Sequence, residues 1–208
     1  MASSDRLLCP PPELTIDPDA FNAFEVADWQ RTASTYDPIA AITSRVITPL
    51  LDAAGIEAGM RVLDIGSGPG HAAAQAAQRE ATVVGVDVAT AMVQRARRLH
   101  PGLDFREANA EALPFADGCF DAVIGNFSIV HLVHPEQAVG EFVRVITAGG
   151  QLALTVWDLP QQARRQGVFL DAVAAVDVTA LADVPPGLAF FRYSVDEQFA
   201  ALLQDRAH

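Results

Sequence analysis

VLDIGSGPG, residues 62–70, is the stretch from which the fold of this chain is best predicted. An apolar run up to Asp64 has the pattern of a buried strand, and Gly66, Gly68 and Gly70 then form a tight turn that opens a helix. A glycine-rich turn alone also occurs in ordinary strand–helix connections. However, the G-x-G-x-G spacing differs from the G-x-G-x-x-G of dinucleotide-binding folds. The Asp64 carboxylate would repel a pyrophosphate and attract an ammonium group.

A second carboxylate, Asp87, ends the next apolar run, TVVGVD at residues 82–87. An acidic residue at the tip of the second strand accepts hydrogen bonds from ribose hydroxyls in nucleotide-binding α/β folds. Asp also caps helices, so Asp87 alone does not identify a nucleotide site. Its position 17 residues after Gly70 favours ribose binding.

Apolar runs alternate with helical segments along the chain. Strands are predicted at residues 61–65, 82–86, 103–106, 121–126 and 151–157. Runs that are apolar on both faces and separated by helices indicate buried parallel strands joined by crossovers. The prediction is therefore an α/β fold with a Rossmann-like, doubly wound, mostly parallel sheet in the order 3-2-1-4-5.

Helical apolar spacing flanks this core on both sides. It covers residues 18–55, with a break near Tyr36, and residues 162–182 and 195–205. We predict an extended arm at 1–17 and one domain over 18–208. That domain is divided into an N-terminal helical cap (18–55), a cofactor-binding core (60–157) and a C-terminal helical, acceptor-side region (158–208).

Four segments resemble the class I S-adenosylmethionine-dependent methyltransferases, in particular the group of ubiquinone and menaquinone biosynthesis methyltransferases. In the family's order they are VLDIGSGPG, VVGVDVATAMVQRA, ANAEALPFADGCFDAVIGNFSIVHL and EFVRVITAGGQLALTVW. EALPF, a short turn, FD and then RV-x-x-x-GG form a combination that is much more specific than any one piece. The resemblance implies S-adenosylmethionine as cofactor, S-adenosylhomocysteine as product and a small-molecule methyl acceptor.

The resemblance also implies roles for individual residues. The glycine turn and Asp64 would hold the methionine part of the cofactor, and Asp87 would hold the ribose. Residues after the second and third strands would surround the adenine, those after the fourth would border the sulfonium, and Tyr36 would lie over the cofactor. The predicted cofactor-binding residues are Tyr36, Asp64, Gly66, Ser67, Gly68, Gly70, Asp87, Val88, Met92, Asn109, Ala110, Asn126 and Phe127.

Asn109 departs from the family pattern, because many relatives have Asp at this position, where it accepts a hydrogen bond from the adenine amino group. The amide oxygen of Asn can still accept such a bond. Loss of the charge would cost about 1 kcal/mol, so cofactor binding is expected to survive.

His131 is the predicted catalytic residue. Methyl transfer from a sulfonium mainly requires an acceptor held in line with the methyl carbon, but a hydroxyl or carbon acid also needs a base. His131 follows the fourth strand, at the sheet edge where α/β folds bind ligands, although it could instead orient a loop or pack beneath the cofactor. His134 and His71 are predicted to be structural. Aromatic residues that could line an acceptor pocket, or pack in the core, are Trp157, Phe169, Phe190, Phe191 and Tyr193.

Composition excludes several kinds of partner. The 208 residues contain 14 basic residues, all Arg, against 26 acidic ones, and this balance argues against nucleic acid as a partner. The basic cluster Arg95, Arg97 and Arg98 is predicted to be the solvated end of a helix. Cys9 and Cys119 lie far apart without ligand-spaced neighbours, so no metal is predicted. Without a signal peptide or an apolar run of about 20 residues, the chain is predicted to be cytoplasmic with no membrane span.

The C-terminal region shows where the chain departs from its relatives. They normally add two antiparallel strands after the helix that here reads DEQFAALLQDRA, and this chain ends before them, either because it is truncated or because the edge is covered otherwise. An apolar edge strand promotes pairing, so coverage by helices or a homodimer is expected.

Two other functions stay open: a cofactor-binding protein without activity, and a nicotinamide-dependent oxidoreductase, which the turn spacing disfavours. The acceptor and the atom that is methylated are left open.

Overall fold

The chain folds around a sheet of five parallel strands. The computed structural model describes residues 17–163, 168 and 191–204. The strands are β1 Arg61–Ile65, β2 Thr82–Asp87, β3 Asp104–Glu107, β4 Phe120–Asn126 and β5 Ile146–Thr155. Their order, β3-β2-β1-β4-β5, and their parallel pairing confirm the predicted Rossmann-like sheet.

Helices cover both faces of this sheet. The described ones are α1 Pro18–Thr32, α2 Asp37–Thr43, α3 Ile47–Ala53, α4 His71–Gln78, α5 Thr90–Leu99, α6 Pro135–Val145 and α7 Asp196–Gln204. Alternate residues of β1 show the two layers. Val62 packs with α3, α4 and α5, whereas Leu63 and Ile65 pack with α6 and α7. None of the helices in the described part of the chain is long and apolar enough to cross a bilayer.

The N-terminal helices are fastened to the start and the side of α5. The side-chain oxygen of Gln30 accepts a hydrogen bond from the Ala91 N–H at 2.8 Å, which satisfies one of the free amides of that helix start. Arg95 donates to the Ala33 carbonyl and pairs with Asp37, and its side chain is only 14% exposed. The α1–α2 junction is therefore held against α5.

The expectation that the arginine cluster is the solvated end of a helix is wrong for Arg95, whereas Arg97 is exposed in the last turn of α5. Arg95 anchors the N-terminal helices, and Arg97 donates to the Phe105 carbonyl at 2.6 Å. Arg98 is exposed, as expected. The Arg95 guanidinium satisfies a carbonyl of a segment that is 62 residues away in the sequence, a contact that helical spacing does not reveal.

β5 differs from its prediction at both ends. It begins at Ile146, directly after α6, and ends at Thr155, before Trp157. Its pairing with β4 is irregular, because Phe120 pairs with Ile146 and Ala122 pairs with Gln151. Residues 147–150 of β5 therefore form a bulge opposite Asp121. These residues, TAGG, carry no large apolar side chain that would predict a strand. In the described part of the chain β5 is an edge strand, and the helix predicted over 162–182 lies outside the described residues except for residues 162, 163 and 168.

Two family segments that are distant in sequence bind each other directly. Glu141 accepts the Leu113 N–H at 2.8 Å, and Arg144 donates to the Phe115 and Leu113 carbonyls at 2.8 and 3.1 Å. Glu141 and Arg144 also pair with each other at 2.7 Å. The EFVR helix thus anchors the loop that begins with EALPF.

We expect Arg95→Ala to lower the free energy of unfolding by about 1–2 kcal/mol, because the buried Ala33 carbonyl loses its donor. Urea denaturation measures this change. Arg98→Ala, an exposed position on the same helix, is the control and should stay within about 0.5 kcal/mol of the parent. Equal effects of the two variants would contradict the anchoring role of Arg95.

Candidate active site

A cavity of about 520 Å³ lies at the carboxyl ends of β1, β2 and β4, beneath α1 and α2. This is the sheet edge at which open α/β folds bind ligands. The predicted site residues that line it are Tyr36, Gly66, Gly68, Asp87, Val88, Met92, Asn109, Ala110, Asn126, Phe127 and His131. Asp64 and Ser67 line a small adjoining cavity, together with Tyr36, Gly66 and Gly68. Gly70 lines neither cavity.

The glycine turn has a backbone that only glycine adopts easily. Gly66 has a φ of +60°, and a Cβ there would lie 2.6 Å from the Ser128 Cβ. Gly68 has a φ of +51°, but a Cβ there would meet no protein atom within 4 Å. Gly68 therefore leaves open space at the cavity wall, where a ligand could approach the backbone.

Gly70 serves a different purpose. It has a φ of +86° at the start of α4, and a Cβ there would collide with the Phe105 ring. This glycine lets the helix start pack against β3. A direct contact with a cofactor stays a prediction.

Asp64 is a buried carboxylate, 1% exposed. Among the described residues it accepts one hydrogen bond, from the Ala73 N–H at 3.0 Å. Burial raises the pKa of Asp64 to about 7, and this hydrogen bond only partly opposes the rise. Ser67 beside it has a buried hydroxyl that has no hydrogen-bond partner among the described residues. This small cavity suits a group that donates hydrogen bonds and carries a positive charge.

Asp87 ties the glycine turn to the end of β2. Its two oxygens accept the Gly68 N–H and the Ala89 N–H, each at 2.9 Å. Burial raises the pKa of Asp87, while these two hydrogen bonds and nearby His131 oppose the rise. Each carboxylate oxygen can accept more than one hydrogen bond, so Asp87 can hold the turn and still accept ligand hydroxyls.

Asn109 faces the cavity with one acceptor position already used. Its side-chain oxygen accepts the Glu111 N–H at 2.9 Å in a local turn. The side-chain nitrogen therefore remains available to donate a hydrogen bond to a ligand. The second lone pair of the side-chain oxygen remains available to accept one. Buried Met92 and Ala110 line the same end of the cavity.

Asn126 and Phe127 are held at the end of β4 by β5. Thr155 accepts the Phe127 N–H at 3.0 Å and donates to the Asn126 side-chain oxygen at 2.8 Å. The Asn126 side-chain nitrogen donates to the Thr43 carbonyl at 3.1 Å. Phe127 stacks on Trp157, with ring centroids 4.1 Å apart, and both residues line the cavity.

His131 makes a contact that the sequence did not suggest. Its Nδ1 lies 3.0 Å from Glu25 Oε2, and Trp29 Nε1 donates to the same oxygen at 3.0 Å. Glu25 and Trp29 belong to α1, whose apolar and polar residues show almost no segregation into faces, so nothing in the sequence marked them. Tyr36, in the same cap, contacts Trp29 edge to face, and burial raises its pKa.

A structural role explains the position of His134, whereas the structural role of His71 stays a prediction. His134 is half exposed and bonds Glu111 at 2.9 Å. Glu111 also accepts the Val133 and His134 N–H groups, so it fastens the loop after β4. His71 lines the small cavity, and burial lowers its pKa.

Of the candidate aromatic residues, Trp157 alone among those described lines the main cavity. Phe191 and Tyr193 are buried, and Tyr193 packs in the core beneath α6 and α7. Phe169 and Phe190 lie outside the described residues. The described residues include no group of His, Cys, Asp and Glu that could hold a metal ion.

Comparisons with known proteins agree with this geometry. A family model described as a methyltransferase domain matches residues 63–154. An uncharacterized protein of Mycobacterium tuberculosis is 33% identical over 190 residues, which are 86% of this chain and 67% of that protein. A demethylmenaquinone methyltransferase of Renibacterium salmoninarum is 36% identical over 111 residues, 53% of this chain and 47% of that enzyme. The chain thus spans about half the length of that enzyme.

A solved structure with the same fold is that of the [4+2]-cyclase SpnF. It matches with a TM-score of 0.50 and 29% identity, and the match covers 53% of this chain and 43% of that one. The matched family model spans β1 to β5, the strands whose ends form the cavity. This chain belongs to the class I S-adenosylmethionine-dependent methyltransferases.

Proposed function

We propose that this protein transfers the methyl group of S-adenosylmethionine to a neutral small molecule that carries a hydroxyl or an acidic C–H group. The observation that carries the proposal is one cavity whose lining includes the glycine turn, Asp87 and His131. Its volume of about 520 Å³ lies within the range of small-molecule sites, about 300–1,000 Å³.

The residues at the turn fit the cofactor chemically. The buried Asp64 carboxylate suits the ammonium of the methionine part, and the open side of Gly68 suits a close backbone contact. Asp87 would accept the ribose hydroxyls, and Met92 would pack on the adenine. When bound, the cofactor supplies a methyl carbon on a sulfonium: the acceptor's electron pair forms the new bond, and the carbon–sulfur pair returns to sulfur as a thioether.

His131 would take the proton that the acceptor loses. It lines the same cavity as the residues proposed to border the sulfonium, Asn126 and Phe127. A general base at that position would contribute about 10²–10⁴-fold to the rate.

The cavity lining supports a neutral, partly aromatic acceptor. The described lining residues include the carboxylates of Glu25, Asp87 and Glu111 and no Arg, so an anionic acceptor is disfavoured. The stacked pair of Phe127 and Trp157 offers a flat apolar wall. The relative that is named a demethylmenaquinone methyltransferase supports an acceptor of similar chemistry to demethylmenaquinone.

The alternative is a protein that binds the cofactor without transferring its methyl group. The similarity to the structure of a [4+2]-cyclase supports this alternative, because it indicates that the fold can serve reactions other than methyl transfer. Formation of S-adenosylhomocysteine during turnover separates the two functions. A homodimer through the β5 edge, the absence of a nucleic-acid partner and the cytoplasmic location stay predictions.

We expect Asp87→Ala to weaken S-adenosylhomocysteine binding by about 2–3 kcal/mol, or about 30–150-fold, because charge-assisted acceptors for the ribose are lost and the turn loses its anchor. Calorimetric titration measures the affinity. The control is Glu107→Gln, which changes the exposed carboxylate opposite Asp87 on β3. Parent-like binding by Asp87→Ala would rule out the ribose assignment.

We expect the affinity for S-adenosylhomocysteine to rise by up to about tenfold between pH 6 and pH 8. The pKa of Asp64 is about 7, so below this pH the carboxyl is protonated and must release its proton before it pairs with an ammonium. Calorimetry in buffers of different ionisation enthalpy measures the proton release. Asp64→Asn should bind more weakly and lose most of the dependence. An unchanged dependence in this variant would show that Asp64 is not the titrating group.

We expect His131→Ala to lower kcat by about 10²-fold or more and to leave the affinity for S-adenosylhomocysteine within about threefold of the parent. The assay is methyl transfer to an acceptor found active in a panel of phenols, quinols and catechols. His134→Ala, on the exposed side of the same loop, is the matched control and should retain turnover. Parent-like turnover by His131→Ala would remove His131 from the mechanism.

A further inference from the structure

Glu25 and His131 are 106 residues apart in the sequence and meet at the cavity wall. Glu25 Oε2 lies 3.0 Å from His131 Nδ1. An ionised carboxylate can only accept a hydrogen bond, so Nδ1 must carry the proton. Their side chains are 18% and 25% exposed, so the pair is largely shielded from water but still reaches the cavity.

Trp29 holds the carboxylate in place. It lies one helical turn after Glu25, and its Nε1 donates to the same oxygen at 3.0 Å. Its ring also meets the His131 ring edge to face, with centroids 4.8 Å apart. The Glu25 carboxylate and the imidazole plane are therefore both restrained from the same face of α1.

We propose that Glu25 is a positioning residue for His131, and this inference rests on the proposed function. The carboxylate keeps the proton on Nδ1, which makes Nε2 the nitrogen that takes a proton from the acceptor. As the acceptor's O–H or C–H bond breaks, its electron pair forms the bond to the methyl carbon and its proton moves to His131 Nε2. The resulting imidazolium is stabilised by the negative charge of Glu25 until it releases the proton to solvent.

Contacts that do not involve Glu25 also hold α1 in place. Gln30 bonds the Ala91 N–H, and Arg95 bonds the Ala33 carbonyl and Asp37, so separate contacts fasten this helix to α5. A variant at Glu25 is therefore expected to keep the cap in place and to alter the histidine.

The first test is the tautomer of His131, read from the ¹⁵N chemical shifts of labelled histidine at a pH where the ring is neutral. His131→Gln serves to assign the resonances. We expect the parent to carry the proton on Nδ1 and Glu25→Ala to give a mixture of tautomers. Asp28→Asn, an exposed carboxylate on the same helix, should match the parent. A parent-like tautomer in Glu25→Ala, or a proton on Nε2 in the parent, would overturn the proposal.

The second test is a double-mutant cycle on turnover, with an acceptor from the phenol and quinol panel. Glu25→Gln, which keeps the shape and removes the charge, should lower kcat by about tenfold or more in the parent and have no further effect in His131→Ala. If Glu25→Ala fails to fold, Glu25→Gln replaces it in the tautomer test. Equal losses in both backgrounds would show that Glu25 acts independently of His131, against the proposal.

Calorimetry with S-adenosylhomocysteine separates this inference from the proposed function. Glu25→Gln should bind within about twofold of the parent, since its role is in proton transfer. Affinity reduced as much as kcat would indicate a structural role and overturn the inference. Lack of binding by the parent would instead contradict the proposed function, while the tautomer result would still report on Glu25.

Discussion

The candidate site depends on the hydrogen bonds that the Asp87 carboxylate accepts from two backbone N–H groups. Its two oxygens hold the Gly68 and Ala89 N–H groups, so one side chain joins the turn after β1 to the start of α5. Both partners lie at the carboxyl edge of a parallel sheet, where successive strands deliver their loops to the same place. The bond from the Gly68 N–H, together with that from the Ser67 N–H to the Val86 carbonyl, fixes the open side of Gly68 relative to the proposed ribose site. The residue proposed to bind the ligand therefore also builds the site.

Several other carboxylates of this acidic chain act in the same way, as acceptors for backbone N–H groups. Asp64 holds Ala73 at the start of α4, and Glu111 holds two amides of the loop after β4. Glu141 holds Leu113. Buried N–H groups need partners, and carboxylates are strong acceptors for them. Part of the negative charge is thus explained by internal structure rather than by an external partner.

The cap formed by α1 and α2 turns the edge of the sheet into a cavity that is lined both by the sheet loops and by the cap helices. The sheet loops supply the polar groups proposed to hold the cofactor, whereas α1 supplies Glu25 and Trp29 beside His131. Relatives with the same sheet and a different cap could hold different acceptors, because the sheet and the cap contribute separate walls. The likeness to both a methyltransferase and a cyclase agrees with such a division.

The sequence alone determined the number and order of the strands, the bounds of β1 to β4 to within one residue and the residues of the glycine turn, because strand burial and turn chemistry depend on residues that are close to one another in the chain. It also placed His131 at the correct edge of the sheet. Only the tertiary structure brought Glu25 to His131 and Arg95 to the Ala33 carbonyl. It also showed that Gly70 packs against Phe105. Such contacts join segments with no shared periodicity, so they depend on how helices dock, which local spacing does not encode.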